Sequence, residues 1–324
     1  STAIAGELAV DTLPRLTSAS ALAVAGDAFL RAHSALHVDA DQPVLVARRL
    51  QVDGRRSARA AWTIELSKDP TGESPIVERY WVDAQDGAIL AVENQIHHFD
   101  VTGTVQTKAT PGLAPDTASN PESNQILRYA RVQSSAGETT TDANGVFNYP
   151  GVNTPLSVTL TYYGTFNNVQ SATSANYSLV QVVQPNTPTT IVMNPSPTDV
   201  TTAQANAMVG INTIRDWIRA LNPTDTTADL RFVSNVNQSS TCNAFYNGNS
   251  VNYYLAGGGC PNTCYSTVVA HEMGHWLNVL YGTGNNGDGM GEGNADIWAM
   301  YIHDTPVVAQ DFFGIGSPIR TGLN

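Results

Sequence analysis

The chain is poor in positive charge, poor in charge altogether and nearly without cysteine. Lys and Arg number 16 against 28 Asp and Glu in 324 residues, a formal net charge of −12. A surface of that sign repels phosphate backbones and anionic headgroups, which argues against nucleic acid and acidic membranes as partners. Charged residues are only 14% of the chain. Together with its many Thr, Asn, Ser and Gly, that composition is common among exported proteins, so a secreted, extracellular location is expected. No run approaches the roughly 20 apolar residues of a membrane-spanning helix, and no membrane span is expected. No basic-then-apolar leader opens the chain at Ser1, so any signal peptide is expected to have been removed or to lie outside the sequence. A hydrophobic content of 42% supports packed cores, and the length suits two or three domains.

The cysteines are Cys242, Cys260 and Cys264. No second close pair completes a four-ligand metal set. One disulfide, between Cys242 and either Cys260 or Cys264, fits an oxidising compartment. The third cysteine is then a buried free thiol, or its partner lies in a segment outside this sequence. Asn176-Tyr177-Ser178 and Asn237-Gln238-Ser239 match the acceptor pattern for N-glycosylation.

One run carries chemistry: His271-Glu272-Met273-Gly274-His275, followed by Gly291-Glu292-Gly293-Asn294-Ala295-Asp296. Residues four apart share a helix face, so His271 and His275 can reach a single metal ion. Glu272 projects beside them, where it can polarise a bound water. Glu292 comes far enough downstream for a turn and a second helix to return it as a third ligand. Three protein ligands and an open position make a catalytic rather than a structural zinc site. Asp296, four residues after Glu292, lies on the same face and can accept the free ring N–H of a liganding His. The remaining histidines are given plainer roles: His97-His98 a linker pair, His33 and His37 surface positions, His303 a surface or helix-end residue.

With these residues the chain resembles the thermolysin-type and fungalysin-type zinc metallopeptidases, whose third ligand is Glu. Cys242-Asn243-Ala244-Phe245-Tyr246-Asn247-Gly248 is similar to that family's substrate-binding edge strand. The resemblance implies that the Asn243 side chain and the Ala244 carbonyl hold the substrate backbone. Gln204 to Ala207 and Asp216-Trp217-Ile218 match the helix that opens the family's catalytic domain, so the likeness runs from about Thr201 to the end. It implies Zn2+ as cofactor and Ca2+ as a stabilising ion, for which Asp288 is a loop candidate. It implies protein or peptide substrates.

The expected fold is multidomain α+β in three parts. Residues 1–99 read as an α+β domain: a helix over Ala19–Leu36, then strands over Val44–Val52, Ala61–Leu66, Ile76–Val82 and Ala88–Val92, with an Asp86-Gly87 hairpin turn. Ala61 to Leu66 and Arg79 to Leu90 resemble the PepSY-like propeptide fold, which implies a domain that assists folding and blocks the cleft until removed. Residues 100–197 read as a small antiparallel β-sandwich, with strands over Ile126–Val132, Val146–Tyr149, Leu156–Tyr163 and Tyr177–Val183. Its Thr141 to Phe147 segment resembles carboxypeptidase-regulatory-like modules. Residues 198–324 read as the N-terminal lobe of a zincin catalytic domain.

The family continues into a helical second lobe that supplies an oxyanion-binding His. Here the sequence ends 32 residues after Glu292, and no His follows His303; Tyr281 is the substitute donor considered. The expectation is that the lobe was cut away, is a separate segment that acts as a partner, or was lost. Two functions therefore stand open. One is a secreted zinc metalloendopeptidase precursor with Glu272 as general base. The other is an extracellular structural or binding protein that keeps the half-fold as scaffold.

Overall fold

The computed structural model describes residues 13–33, 38–52, 55–68, 76–95, 99–283 and 289–323. They form two compact units, Ser1–His98 and Phe99–Asn324. The class is mixed α+β, with four helices and several largely antiparallel sheets among the described residues.

The first unit opens with helix α1 (Ser18–His33). Its apolar stripe falls at Ala21, Ala25 and Phe29, spaced four apart and each fully buried. Strands β1 (Asp39–Ala40), β2 (Val44–Val52), β3 (Arg55–Lys68), β4 (Ile76–Asp83) and β5 (Ile89–Asn94) make one antiparallel sheet. The helix packs on Ile64, Leu66, Tyr80 and Val82 of β3 and β4. Gly87 takes φ +78° in the β4–β5 turn, the left-handed conformation that the Asp86-Gly87 pair predicts. His33 lies against the Phe29 ring with its Nε2 3.1 Å from Glu78. His37 and His97-His98 fall outside the described residues.

The second unit begins with β6 (Val101–Ala109), β7 (Ser123–Ile126), β8 (Ala130–Ser134), β9 (Gly137–Thr140), β10 (Val146–Tyr149), β11 (Leu156–Gly164), β12 (Asn167–Ser171), β13 (Ser178–Val183) and β14 (Thr190–Met193). Helix α2 (Asp199–Leu221) follows, then β15 (Phe232–Gln238), β16 (Ala244–Tyr246) and β17 (Val251–Tyr254), helices α3 (Ser266–Leu280) and α4 (Gly289–His303), and the short strands β18 (Val307–Val308) and β19 (Arg320–Thr321). A four-stranded sheet runs β10-β6-β14 with β7 also on β6. An eight-stranded sheet runs β16-β17-β15-β12-β11-β8-β9 with β13 also on β11.

The boundary expected at residues 197 and 198 is not a boundary of the fold. Strand β12, before it, pairs in parallel with β15, after it, from Asn167↔Phe232 to Ser171↔Val236. One hydrophobic core, including Val158, Val169, Ile211, Phe232 and Met273, serves both segments. The pairings β14–β6, β12–β15 and β15–β17 are parallel, so the region is not a purely antiparallel sandwich. The strand expected over Ile126–Val132 is broken at Tyr129, where φ is +57°.

Three helices stack to carry the site. Thr198 and Thr201 form a reciprocal capping box at the start of α2. Gly210 of α2 meets Val269 of α3, and Gly274 of α3 meets Ala295 and Trp298 of α4, so closely that a Cβ on either glycine would stand 2.8–2.9 Å from the neighbour. Absent side chains at these two crossings let α3 lie buried between its neighbours. Asn237 is fully buried, its Nδ2 donating to Ser171 Oγ and Val200 O. A glycan there is incompatible with the fold, whereas Asn176 is exposed.

Candidate metal centre and cleft

His271, Glu272 and His275 all project from α3, and Glu292 and Asp296 from the first turns of α4. One ligand atom each from His271, His275 and Glu292 lies within 4.8 Å of the others, a cluster that can hold a metal ion. His271 Nε2 is 3.2 Å from His275 Nε2 and 3.2 Å from Glu292 Oε2. His275 Nε2 is 3.5 Å from Glu292 Oε1.

The tautomer of His271 follows from its other nitrogen. Nδ1 donates to Asp296 Oδ1 at 2.8 Å, since a carboxylate accepts, and Nε2 is left with its lone pair facing the cluster. Burial, then the neighbouring His271, pushes the His275 imidazole below its ordinary pKa, so it too favours the neutral, ligating form. Burial opposes the charge on Asp296, but hydrogen bonds from His271 and Arg320 outweigh it and hold that carboxyl below the usual range.

Glu272 is buried, 6% exposed, and burial pushes its pKa up to about 7. His271 opposes that rise, Glu292 adds to it, and Arg320 and a hydrogen bond to the Tyr246 backbone oppose it further. A carboxylate in such a setting is a base matched to neutral pH.

The cluster opens into a cleft of about 620 Å³. One wall is β16 with the residues before it, including Asn243 and Ala244; among the described residues β16 pairs with β17 alone and so ends its sheet with one edge open. The Asn243 carbonyl accepts from Thr263 Oγ1 at 3.0 Å, which orients the backbone here. A disulfide joins Cys242 to Cys260, resolving the two pairings left open by spacing. Cys264 is a buried free thiol whose Sγ donates to Ala203 O.

The opposite wall comes from Val308, Ala309, Phe312, Phe313, Ile319 and Arg320. This segment is tied to the start of α3, where the Ala309 N–H donates to Thr267 Oγ1 and the Tyr265 hydroxyl to Gln310 O. Arg320 is a cleft residue that sequence reasoning did not single out. Its Nε and Nη2 grip the two oxygens of Asp296 at 2.7 and 2.9 Å, and Nη2 stands 3.7 Å from Glu292. A signal existed, because Arg320 is the only Lys or Arg after Arg231.

Tyr281 does not serve the cleft. Its hydroxyl donates to Asp225 at 2.8 Å and its ring stacks on Trp298. His303 closes α4 and is partly buried. Asp288 lies outside the described residues. No protein-family model matches the chain, and no curated protein matches it in sequence.

Proposed function

We propose that the protein is a secreted zinc-dependent metalloendopeptidase that hydrolyses peptide bonds in extended protein or peptide segments, with residues 1–99 as its PepSY-like pro-domain. The observation that carries this reading is the convergence of His271, His275 and Glu292 at 3.2–3.5 Å, in a cleft that also holds Glu272 and an open strand edge. Tetrahedral ligands at the usual zinc bond lengths lie about 3.3–3.4 Å apart, so the spacing suits that ion. Two imidazoles and one carboxylate suit zinc better than calcium, which takes six or more oxygens. The disulfide supports an oxidising compartment.

Zinc bound there supplies a Lewis acid and brings the pKa of its water near neutrality. The chain's own groups do the rest. Glu272 accepts the proton of the attacking water and passes it to the departing amine. Asp296 keeps His271 in the ligating tautomer. A substrate strand adds to β16, held by the Asn243 side chain and the Ala244 carbonyl. Arg320, neutralised in part by Asp296, presents its guanidinium to the cleft as a donor for a substrate carbonyl.

The test is zinc content and casein cleavage on one purified sample, assayed as the full chain and again after removal of residues 1–99. The expected protein is zinc-loaded and chelator-sensitive. Glu272→Gln keeps the metal and loses activity by roughly 10²- to 10⁴-fold. A zinc-loaded protein that cleaves nothing even after residues 1–99 are removed, or a Glu272→Gln variant as active as the parent, overturns the reading.

A further inference from the structure

Strand β16 is three residues long and, among the described residues, pairs with β17 alone. So short an edge strand is weakly held by its ladder, and something else must keep it at a fixed distance from α3. At its leading end the Cys242–Cys260 disulfide does this. At its trailing end the Tyr246 ring stacks on the Trp276 indole, centroids 5.7 Å apart and planes at 28°. Phe232 of β15 meets the same indole edge-on at 4.2 Å and 80°. The Tyr246 hydroxyl donates to Gly248 O at 2.9 Å, so the far end of that ring is fixed too. Trp276 directly follows His275, and one side chain therefore joins a central strand, the edge strand and the metal helix.

We propose that Trp276 is a positioning residue that sets the spacing between edge strand β16 and helix α3, and so how tightly a peptide pairs along the strand across the cleft. This rests on the peptidase reading above. Trp276 need not touch substrate. It acts through Tyr246, which lines the same cleft as Glu272, so that a displaced strand holds a paired peptide less tightly.

The experiment compares the zinc-loaded full chain with Trp276→Ala, Trp276→Phe, Tyr246→Ala and the double alanine variant. Zinc content, steady-state kinetics on a peptide long enough to pair with β16, and amide hydrogen exchange at residues 244–246 are measured. Trp276→Ala is expected to raise KM roughly three- to tenfold, the worth of an aromatic pair, with zinc content unchanged and kcat altered by less than about twofold. Trp276→Phe restores most of the loss. Tyr246→Ala, which alters no residue of α3, gives the same rise, and the double variant gives no more than either single change. Exchange at 244–246 quickens in both alanine variants and not in the Phe variant.

Unchanged KM and exchange overturn the proposal, as does a double variant whose effects simply multiply. So does a Trp276→Ala variant that loses zinc and kcat together while Tyr246→Ala behaves as the parent, because Trp276 then only holds its own helix. Should the zinc-loaded parent cleave no peptide, the peptidase reading fails by itself. The exchange data then decide whether Trp276 fixes the strand.

Discussion

His271 Nδ1 donates to Asp296 Oδ1 at 2.8 Å, across the gap between the two helices that bring the site together. The bond fixes both the tautomer and the ring orientation of the His271 imidazole, which comes from the neighbouring helix. Asp296→Ala is expected to lower zinc affinity about 10- to 100-fold, read by chelator competition. Unchanged affinity would mean that the helices alone orient the imidazole.

Gly274 gives a second prediction. A Cβ at that position would stand 2.9 Å from Ala295 Cα and 3.0 Å from Ala295 O. Gly274→Ala must push α4 away, at a cost of about 1–3 kcal/mol, and carries Glu292 away from the two imidazoles. Lower zinc occupancy is expected, together with a lower melting point. Gly293→Ala, where nothing lies within 4 Å, is the control and gains about 0.5–1 kcal/mol of helix stability.

Asp116 makes stability depend on pH. Burial, then Glu122 and Asp199, raises its carboxyl to about 6. Its folded pKa lies above its unfolded value, so the contribution is fully present below about pH 4 and is lost as pH rises towards 6. Asp116→Asn should therefore stabilise the protein at pH 7 by about 1 kcal/mol, discounted for the solvent that still reaches the group, and do little at pH 4. Melting curves at the two pH values decide it. An equal shift at both would rule out the titration.

The thiols give a fourth. Burial raises the Cys264 pKa well above its ordinary value and leaves no thiolate to react. A thiol-specific dye should label no cysteine in the native chain and one after unfolding without reductant. Replacing Cys242 and Cys260 by Ser should cost about 3 kcal/mol, the value for a loop of this length. Labelling of the native protein would show that Cys264 is open to solvent.

The cluster of His271, His275 and Glu292 was legible because its information is local. His271, Glu272 and His275 sit one turn apart on a helix, and Glu292 and Asp296 repeat that spacing on the next. Arg320 was not, because it returns to the cluster through the β18–β19 pairing, which no periodicity encodes. Strand β12 was missed for another reason. Asn167 and its neighbours are polar, yet Asn167 is fully buried, donating to Ala207 O and accepting from Ser234 Oγ. Buried hydrogen bonds, not apolar alternation, hold that strand in the sheet. In the first unit the pattern is ordinary, and the expected strands over Val44–Val52 and Ile76–Val82 match β2 and β4 nearly residue for residue.

The parallel pairing of β12 with β15 has a consequence for where the chain can be cut. Trimming at residue 197 would take away the neighbour of β15, expose a fresh row of unpaired amides two strands from the cleft and unroof the apolar face of α2. The smallest fragment that keeps this sheet and core intact then begins near Phe99. Residues 100–197 are thus a foundation of the cleft, because they supply the neighbour of β15 and part of its core.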